Sequence, residues 1–342
     1  MKVLDLCAGY GGLTMGLGLE STWYSEVDTH ACTAYEHNHP GVEALGDVRD
    51  ASTWPQADVV VAGFPCQPAS SAGRRKGIND ERWLWPYIKN CLGVVQPQFV
   101  ILENVRGLLT VNRQAAIQEI LSDLAALGFD ASWGVVRASD TGACHRRERW
   151  FCVARAGDAD DLGDWPASQH GTHRRNVAAG ADGEPGRLIA TPTTSDAKGA
   201  APGHGGTTAE DVMALLPTPV VSDSFGGSSA TSGRSNPDST HHAGTTLSDV
   251  AFANLWHRYG PAIARHEVML GRPAPSPVID NPRARAGVSL SPRFVEWMMC
   301  LPDGWVCDVP DIPRTAQLRL LGNGVVPPQA ALAASLIQRN LP

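Results

Sequence analysis

The chain has 342 residues, of which 43% are hydrophobic and 18% charged, values typical of a globular protein with a sizeable core. It contains no apolar run of roughly 18 residues and no apolar leader, so we expect neither a membrane span nor secretion. Its eight cysteines form no CxxC pair, which argues against structural zinc and predicts no bound metal. The net charge of −7 disfavours a nucleic-acid partner only on average, because basic residues gather at 74–76, 146–149 and 174–175.

The first part of the chain, residues 1–155, alternates predicted strands and helices, which is the pattern of a doubly wound α/β sheet. Strands are predicted at 2–7, 23–27, 58–62, 99–102, 133–137 and 150–154, and helices at 12–19, 31–37, 83–92 and 113–127. The run 58–62 is continuously apolar, as expected for a parallel strand that is buried on both faces.

The composition changes near Ala156, and from there to about Pro282 the chain is rich in Gly, Ser, Thr, Pro and His. Two similar segments in this region, Thr191–Asp196 and Thr218–Asp223, are either polar turns or loops that carry function. Helices are predicted again at 247–259, capped by Ser248, and at 292–300, 315–321 and 329–336. We therefore expect a first domain at 1–155, a smaller loop-rich domain at 156–290, and a C-terminal segment at 291–342 that returns to the first domain.

The first chemical signal is the glycine-rich turn Asp5–Gly12, which directly follows the first predicted strand. Glycines let the backbone approach a ligand closely, and the following helix N-terminus favours polar groups of that ligand. Glu26, at the end of the second strand, can accept both hydroxyls of a ribose, and Asp47 offers an acceptor for an adenine amino group. Each acid alone would more often be a solvated turn carboxylate. Together with the turn, the two acids indicate an adenosine-bearing cofactor.

The second signal is Cys66, in the segment Gly63–Pro68 directly after the predicted strand 58–62. In an open parallel sheet, ligands bind beyond the carboxyl ends of the strands. An isolated cysteine is usually an inert buried thiol, but this one is held between prolines outside any hydrophobic run. We therefore predict a nucleophile, whose thiol pKa would be lowered by nearby arginines.

Two further signals flank this cysteine in the predicted sheet. Glu103 and Asn104 follow the strand 99–102, where a partly desolvated carboxyl group could stay protonated or share a proton with a base nitrogen. In the segment 145–149, alternation would place Arg147 and Arg149 on the same side of an extended chain, suited to a phosphate or a carbonyl oxygen. The competing interpretation of that segment is a solvated basic turn.

These motifs resemble, in order and spacing, those of carbon-5 cytosine-specific DNA methyltransferases of the bacterial or phage type. The resemblance rests on DLCAGYGG, GFPCQP, ENV, the Arg-x-Arg segment and Gly322–Val325, and it covers 1–155 and about 290–342. It implies a doubly wound sheet of the AdoMet-dependent (S-adenosylmethionine-dependent) methyltransferases and a smaller loop-rich target-recognition domain across a DNA cleft. That domain would be 156–290.

The resemblance also implies a reaction, the transfer of a methyl group from AdoMet to carbon 5 of a cytosine flipped out of a specific double-stranded DNA sequence. Cys66 would add to carbon 6 of the base, and Glu103 would hydrogen-bond the ring nitrogen N3. Asn104 would position the loop that carries the nucleophile. Arg147 and Arg149 would contact the cytosine carbonyl and support that loop.

Residues implied to hold AdoMet come from the glycine turn, the ends of later strands, the nucleophile loop and a C-terminal loop. They are Leu6, Cys7, Ala8, Gly9, Gly11, Gly12, Leu13, Glu26, Val27, Asp47, Val48, Pro65, Asn323, Gly324 and Val325. DNA contacts are expected from a mobile loop that begins near Ser70 and from residues of the cleft. These are Ser70, Arg74, Arg75, His145, Arg174 and Arg175.

Three positions depart from the family's usual pattern. Cys7 stands where an aromatic residue is usual, and Gly324 where Ser or Ala is commoner. Both belong to the implied cofactor pocket, which leaves open an AdoMet analogue with a larger group. His145 replaces a glutamine, which could make activity sensitive to pH. None of the three departures removes a reacting group.

The expected partner is double-stranded DNA, with a cognate restriction endonuclease that would act separately. We expect a monomer in the cytoplasm of a bacterial cell or phage-infected host, with no membrane association. Alternatives are an RNA cytosine methyltransferase, as in the family's transfer-RNA-acting branch, and a catalytically silent DNA-binding homologue. The long variable region at 156–290 favours DNA, and the intact Cys66 and Glu103 count against a silent homologue. The sequence does not predict the DNA target.

Overall fold

A computed structural model describes residues 1–65, 83–110, 114–157, 215–221, 223, 247–252, 254, 256–282 and 287–338. Several residues predicted to act in the site lie outside these ranges. They are Cys66, Ser70, Arg74, Arg75, Arg174 and Arg175. The first of the two similar segments, Thr191–Asp196, also lies outside the described residues.

Seven strands form the main sheet, in the order β3-β2-β1-β4-β5-β7-β6. Their bounds are β1 Val3–Leu6, β2 Trp23–Ser25, β3 Glu43–Ala44, β4 Val59–Gly63, β5 Phe99–Val105, β6 Phe129–Arg137 and β7 Glu148–Ala156. Strands β1 to β5 pair in parallel, whereas β7 runs antiparallel to both β5 and β6. The predicted α/β sheet is confirmed, and the short β3 was not predicted.

The described helices are α1 Gly12–Leu17, α2 Thr29–Asn38, α3 Trp85–Val95, α4 Ala115–Ala126, α5 Leu247–Phe252, α6 Gly260–Leu270, α7 Pro292–Met298, α8 Arg314–Asn323 and α9 Pro327–Gln338. Helices α1 and α9 pack on one face of the sheet, and α3 and α4 on the other. Along β4, Val59 and Val61 face the first pair of helices, while Val60 and Ala62 face the second. The central strand is therefore buried on both faces, as its continuous apolar run predicts, and the sheet is doubly wound.

A second hydrophobic cluster joins the later part of the chain to the first. It contains Leu216, residues of α5 to α8, and Tyr10 beside the glycine turn. Among the described residues one apolar helical segment, Arg314–Ile337, is long enough to cross a membrane by length and composition. It consists of α8 and α9, joined at residues 324–326. In its most apolar 18-residue stretch, 61% is buried in the fold. The division into 1–155, 156–290 and 291–342 stays a prediction.

The prediction of one helix at 247–259 is wrong. Helix α5 ends at Phe252, and a separate 3-10 helix spans Trp256–Tyr259. Ser248 lies inside α5, after Leu247, and is therefore not its N-cap; its N–H and hydroxyl both donate to the buried Asp223 carboxylate at 3.3 and 3.2 Å. Helix α6 and the small antiparallel pair β8 Val278–Asp280 and β9 Val288–Leu290 were not predicted.

Candidate active site

The carboxyl ends of β1, β4 and β5 lie side by side at one edge of the sheet. Leu6 at the end of β1 pairs with Ala62, and Gly63 at the end of β4 pairs with Glu103. This register brings together the glycine turn, the start of the Cys66 loop and the Glu103 carboxyl group. It is the edge at which α/β proteins of this topology bind their ligands.

The glycine turn uses three left-handed residues to reverse the chain between β1 and α1. Their φ angles are 53° at Cys7, 58° at Gly9 and 81° at Gly11. The N–H of Gly11 donates to the Ala8 carbonyl at 2.9 Å and closes the turn. A Cβ placed on Gly9 would meet no atom within 4 Å, so the space beside it is open. Such a turn can take a ligand against its backbone.

Glu26 is tied to this turn by its carboxylate. One oxygen accepts the N–H of Gly9 at 3.0 Å, and the other accepts the N–H groups of Val27 and Asp28 at 2.8 and 2.9 Å. A carboxylate has about four lone-pair sites, so one remains beyond these three hydrogen bonds. Glu26 therefore holds the turn in shape and keeps an acceptor for a ligand hydroxyl.

Asp47 lies next to Glu26 because the loops after β2 and β3 are joined. The Ser25 hydroxyl donates to the Gly46 carbonyl at 2.7 Å, which fixes the loop that carries Asp47. One oxygen of Asp47 accepts the Arg49 N–H at 3.0 Å, and the side chain keeps partial exposure. The turn, Glu26 and Asp47 thus lie at the same end of the sheet, and their role in holding an adenosine-bearing ligand stays a prediction.

Two groups in the turn, the buried Asp5 and the partly buried Cys7, have raised pKa values. Burial, and secondarily the Glu26 charge, raises the pKa of the Cys7 thiol, which disfavours its thiolate form. Burial also raises the pKa of Asp5 to about 8, although hydrogen bonds from Thr14 and Tyr35, at 3.1 and 3.3 Å, favour its ionised form. Asp5 was not singled out from the sequence, where nothing distinguishes it from other acids next to a turn.

Glu103 and Arg149 form a buried ion pair at the edge of the sheet. Arg149 Nε lies 3.0 Å from Glu103 Oε1, and the two side chains are 14% and 7% exposed. Burial raises the pKa of Glu103, against the attraction of Arg149 and Arg147. A carboxyl group in this state can share or donate a proton at a bound base.

Asn104 connects β5 to the chain that carries Cys66. Its amide nitrogen donates to the Phe64 carbonyl at 2.9 Å, while its amide oxygen accepts the N–H of Val105 at 2.8 Å. Phe64 is followed by Pro65, the last described residue before Cys66. Both amide atoms of Asn104 are thus engaged, and the base of the Cys66 loop is anchored beside Glu103.

Arg147 makes its hydrogen bonds to the C-terminal loop and to Pro219, whereas Arg149 pairs with Glu103. The predicted contact of both arginines with a bound cytosine stays a prediction. Arg147 precedes β7 and has a φ of 33°, so it is not part of the extended strand. Its guanidinium is buried and donates to the carbonyls of Pro219 at 3.1 Å, Gly322 at 3.2 Å and Gly324. Burial and the neighbouring Arg149 lower its pKa to about 9, so it stays charged at neutral pH. Arg147 anchors the C-terminal loop.

His145 is fully buried, so the prediction of a DNA contact by this side chain is wrong. Its Nε2 lies 3.0 Å from the Met298 carbonyl. Burial, followed by the charge of Arg147, lowers the pKa of His145 to about 3. The imidazole therefore stays neutral across the physiological range, and its titration does not make the site sensitive to pH.

The C-terminal loop approaches the glycine turn through Tyr10. The Tyr10 hydroxyl donates to the Val325 carbonyl at 2.9 Å. A Cβ placed on Gly324 would lie 2.0 to 2.3 Å from atoms of the Tyr10 ring, so this position takes no side chain. A Cβ on Gly12 would lie 2.5 Å from the Val325 carbonyl oxygen. The departure at Gly324 is therefore explained by the ring of Tyr10.

The second of the two similar segments, Thr218–Asp223, is partly buried where it is described and is tied to its neighbours by hydrogen bonds. Thr218 Oγ1 accepts the Arg147 N–H at 3.1 Å, and the buried Asp223 accepts the N–H of Val220 at 3.0 Å. Val220 contacts the C-terminal loop so closely that a Cβ on Gly322 would lie 2.7 Å from its carbonyl carbon. Of the two interpretations, these contacts favour a structural turn.

The sheet order, with one antiparallel strand beside β5, and the glycine turn followed by Glu26 and Asp47 define the α/β class of AdoMet-dependent methyltransferases. A sequence profile described as C-5 cytosine-specific DNA methylase matches residues 1–197. The chain belongs to this family, whose methyl donor is AdoMet.

Curated relatives match the chain in sequence over about 160 residues. It is 36% identical over 160 residues to Type II methyltransferase M.NlaX of Neisseria lactamica, covering 44% of this chain and 51% of the relative. It is 37% identical over 159 residues to Type II methyltransferase M.DsaV of Dactylococcopsis salina, covering 45% of each. The matched chain spans about half the length of these curated relatives.

Among solved structures, that of the Dnmt2 methyltransferase of S. pombe matches with a TM-score of 0.55. The match is 18% identical and covers 99% of both chains, so it supports the fold.

Proposed function

We propose that the protein is a DNA (cytosine-5-)-methyltransferase that acts on a flipped cytosine in a specific double-stranded DNA sequence. The observation that carries this proposal is the buried Glu103–Arg149 pair at the strand end next to Gly63, from which the Cys66 loop departs. A Cβ on Gly63 would lie only 3.7 Å from Glu103 Oε2. A carboxyl group with a raised pKa beside a cysteine loop suits addition of a thiolate to a pyrimidine ring.

In this proposal Cys66 adds its thiolate to carbon 6 of the cytosine and forms a covalent adduct. Glu103 donates a hydrogen bond or a proton to N3 as the electron pair moves from the carbon 5–carbon 6 bond into the ring. Arg149 orients the Glu103 carboxyl group and supports the Cys66 loop, and Asn104 holds that loop through Phe64. Loss of the carbon-5 proton after methylation restores the double bond and expels Cys66.

AdoMet, when bound, supplies the electrophilic methyl group. The open space at Gly9, the remaining acceptor of Glu26 and the partly exposed Asp47 fit its backbone, ribose and adenine contacts. Val27 is exposed at the rim of this region, whereas Val48 is buried and supports it from beneath. Val325 and its loop close the region on the other side through the Tyr10 hydrogen bond.

The substrate and partners are proposed on the same basis. The curated relatives are named Type II methyltransferases, which supports duplex DNA as the substrate and a separately acting cognate restriction endonuclease. We place the protein, as a monomer, in the cytoplasm of a bacterial cell or phage-infected host. The predicted DNA contacts at Ser70, Arg74, Arg75, Arg174 and Arg175 stay predictions.

The reaction is tested by incubating the protein with unmethylated genomic DNA and tritiated AdoMet, then identifying labelled nucleosides by mass spectrometry. Label is expected in 5-methylcytosine, lost in Cys66→Ala and retained in the matched control Cys307→Ala. A duplex containing 5-fluorocytosine should trap a complex that survives denaturation, because carbon 5 then carries no removable proton. Label in RNA alone, or no transfer by a folded protein that binds AdoMet, would overturn the proposal.

A further inference from the structure

A group of three arginines surrounds one carboxylate at the same edge of the sheet. Glu148 accepts from Arg106 Nη1 at 2.6 Å, Arg137 Nε at 3.0 Å and Arg146 Nη2 at 3.1 Å. The arginine side chains are 62%, 49% and 51% exposed, whereas that of Glu148 is 16% exposed. We call these four residues the Glu148 cluster. The carboxylate is at its centre and the guanidinium groups are at the surface.

The charges of this cluster are not balanced. Three guanidinium groups face one carboxylate, and the next acid, Asp140, accepts the backbone N–H of Arg137 at 2.9 Å. One positive charge remains even when Asp140 is counted, in a chain whose net charge is −7. Exposed ion pairs contribute little to stability, so folding alone gives no strong reason to gather three arginines here.

The remaining donors of the Glu148 cluster are available to a ligand. Each guanidinium has five N–H donors in a rigid fork, and Glu148 accepts only one from each of the three arginines. The fork matches the geometry of a phosphate, and guanidinium groups already held in place lose less conformational freedom on binding. Glu148 thus restrains the three side chains, and within the described part of the chain most of their donors make no other hydrogen bond.

The position of the cluster relates it to the candidate active site. Arg106 follows Glu103 by three residues, Arg137 pairs with Glu148 in the β6–β7 ladder, and Arg149 pairs with Glu103. At about 3.3 Å per residue, roughly 10 Å of chain separates the backbones of Glu103 and Arg106. Because Glu148 and Arg149 are consecutive in β7, they project from opposite faces of the sheet at the same edge. A nucleotide flipped into the site keeps its phosphates at the surface of the duplex, so exposed cations at this edge of the sheet are candidates to contact them.

We propose that Arg106, Arg137 and Arg146, restrained by Glu148, bind backbone phosphates of duplex DNA beside the target cytosine. The inference rests on the proposed function, because it takes DNA as the substrate. Phosphate contacts fix the position of a protein on the duplex without reading its sequence. The Glu148 cluster would therefore contribute affinity and register, and sequence specificity would come from elsewhere.

The test measures binding to a short random-sequence DNA duplex as a function of salt concentration. Each lost phosphate contact should reduce the magnitude of the slope of log affinity against log salt by about 0.9. The triple alanine variant at 106, 137 and 146 should therefore lose the contribution of about three contacts. The matched control is Arg155→Ala, at the opposite end of β7, which should keep the wild-type slope. Calorimetric binding of AdoMet verifies that the triple variant is folded.

The outcomes separate this inference from the proposed function. A wild-type slope in the folded triple variant would overturn the phosphate site even if the protein methylates DNA. A reduced slope in a protein that transfers no methyl group to DNA would support the site and reject the proposed reaction. An RNA duplex that binds more tightly than DNA through the same arginines would overturn the assignment of DNA.

Discussion

Two glutamates on neighbouring strands, both paired with arginine, respond to their surroundings in opposite ways. Glu103 on β5 has a raised pKa, because burial outweighs the attraction of Arg149 and Arg147. Glu148 on β7 has a lowered pKa, because hydrogen bonds from Arg106 and Arg137 and the charge of Arg146 outweigh its partial burial. The same pair of residue types thus makes a carboxyl group that can hold a proton and another that stays ionised.

The difference shows which quantity decides the role of an arginine–carboxylate pair. A pair removed from water carries a desolvation penalty that one partner offsets only in part. A carboxylate near the surface with several arginine partners favours its charged form, because its desolvation penalty is smaller. Glu103 is therefore suited to proton chemistry at a bound base, whereas Glu148 is suited to hold cationic side chains.

The largest expected effect is on the rate of methyl transfer. Glu103→Gln removes the group that donates to N3, and we expect the single-turnover rate at saturating DNA to fall by about 10² to 10⁴. Glu148→Gln should change the KM for DNA more than this rate, and the exposed Glu20→Gln is the matched surface control. The comparison breaks down if both substitutions at 103 and 148 lower the single-turnover rate equally.

The next effect is on stability. Arg149→Met leaves the buried Glu103 without its partner, and we expect a loss of about 3 to 5 kcal/mol, reduced as Glu103 takes up a proton. Arg137→Met should cost less than about 1 kcal/mol, because it removes one exposed partner of three. Denaturant unfolding measures both changes. Adding Glu103→Gln to Arg149→Met should recover stability, and failure to do so would contradict the explanation.

The smallest effect is the sign of the pH dependence of stability. Because its folded-state pKa is raised, Glu103 contributes stability that is present below its unfolded value, near 4.3, and is lost as pH rises. Glu148 contributes stability that is present above its unfolded value and is lost as pH falls. The free energy of unfolding, measured from about pH 3 to pH 7, should show opposite slopes for Glu103→Gln and Glu148→Gln relative to wild type. Slopes of the same sign for the two variants would contradict the opposite pKa shifts of Glu103 and Glu148.

Much of the sheet could be predicted because its information is local. The apolar run of β4 and the acids that end β2 and β5 lie within a few residues of the strands that position them. In an open sheet the carboxyl ends of parallel strands share one edge, so Glu26 and Glu103 could be assigned to the site before any contact was known.

The tertiary structure decided which residues from distant segments of the chain contact each other. Alternation places Arg147 and Arg149 on one side of an extended chain, but it does not predict that Arg147 donates to the distant carbonyls of Gly322 and Gly324. His145 appears in the sequence as one of a polar run, yet packing against Met298 buries it.

The sequence by itself determined most of the strands and helices of the first part of the chain and the glycine turn, because periodicity and turn chemistry act over a few residues. The tertiary structure decided that Tyr10 excludes a side chain at Gly324 and that three arginines meet at Glu148. Those outcomes depend on contacts between segments far apart in the chain. Close packing of these segments sets the space beside Gly324, and burial sets the charge state of the carboxyl groups.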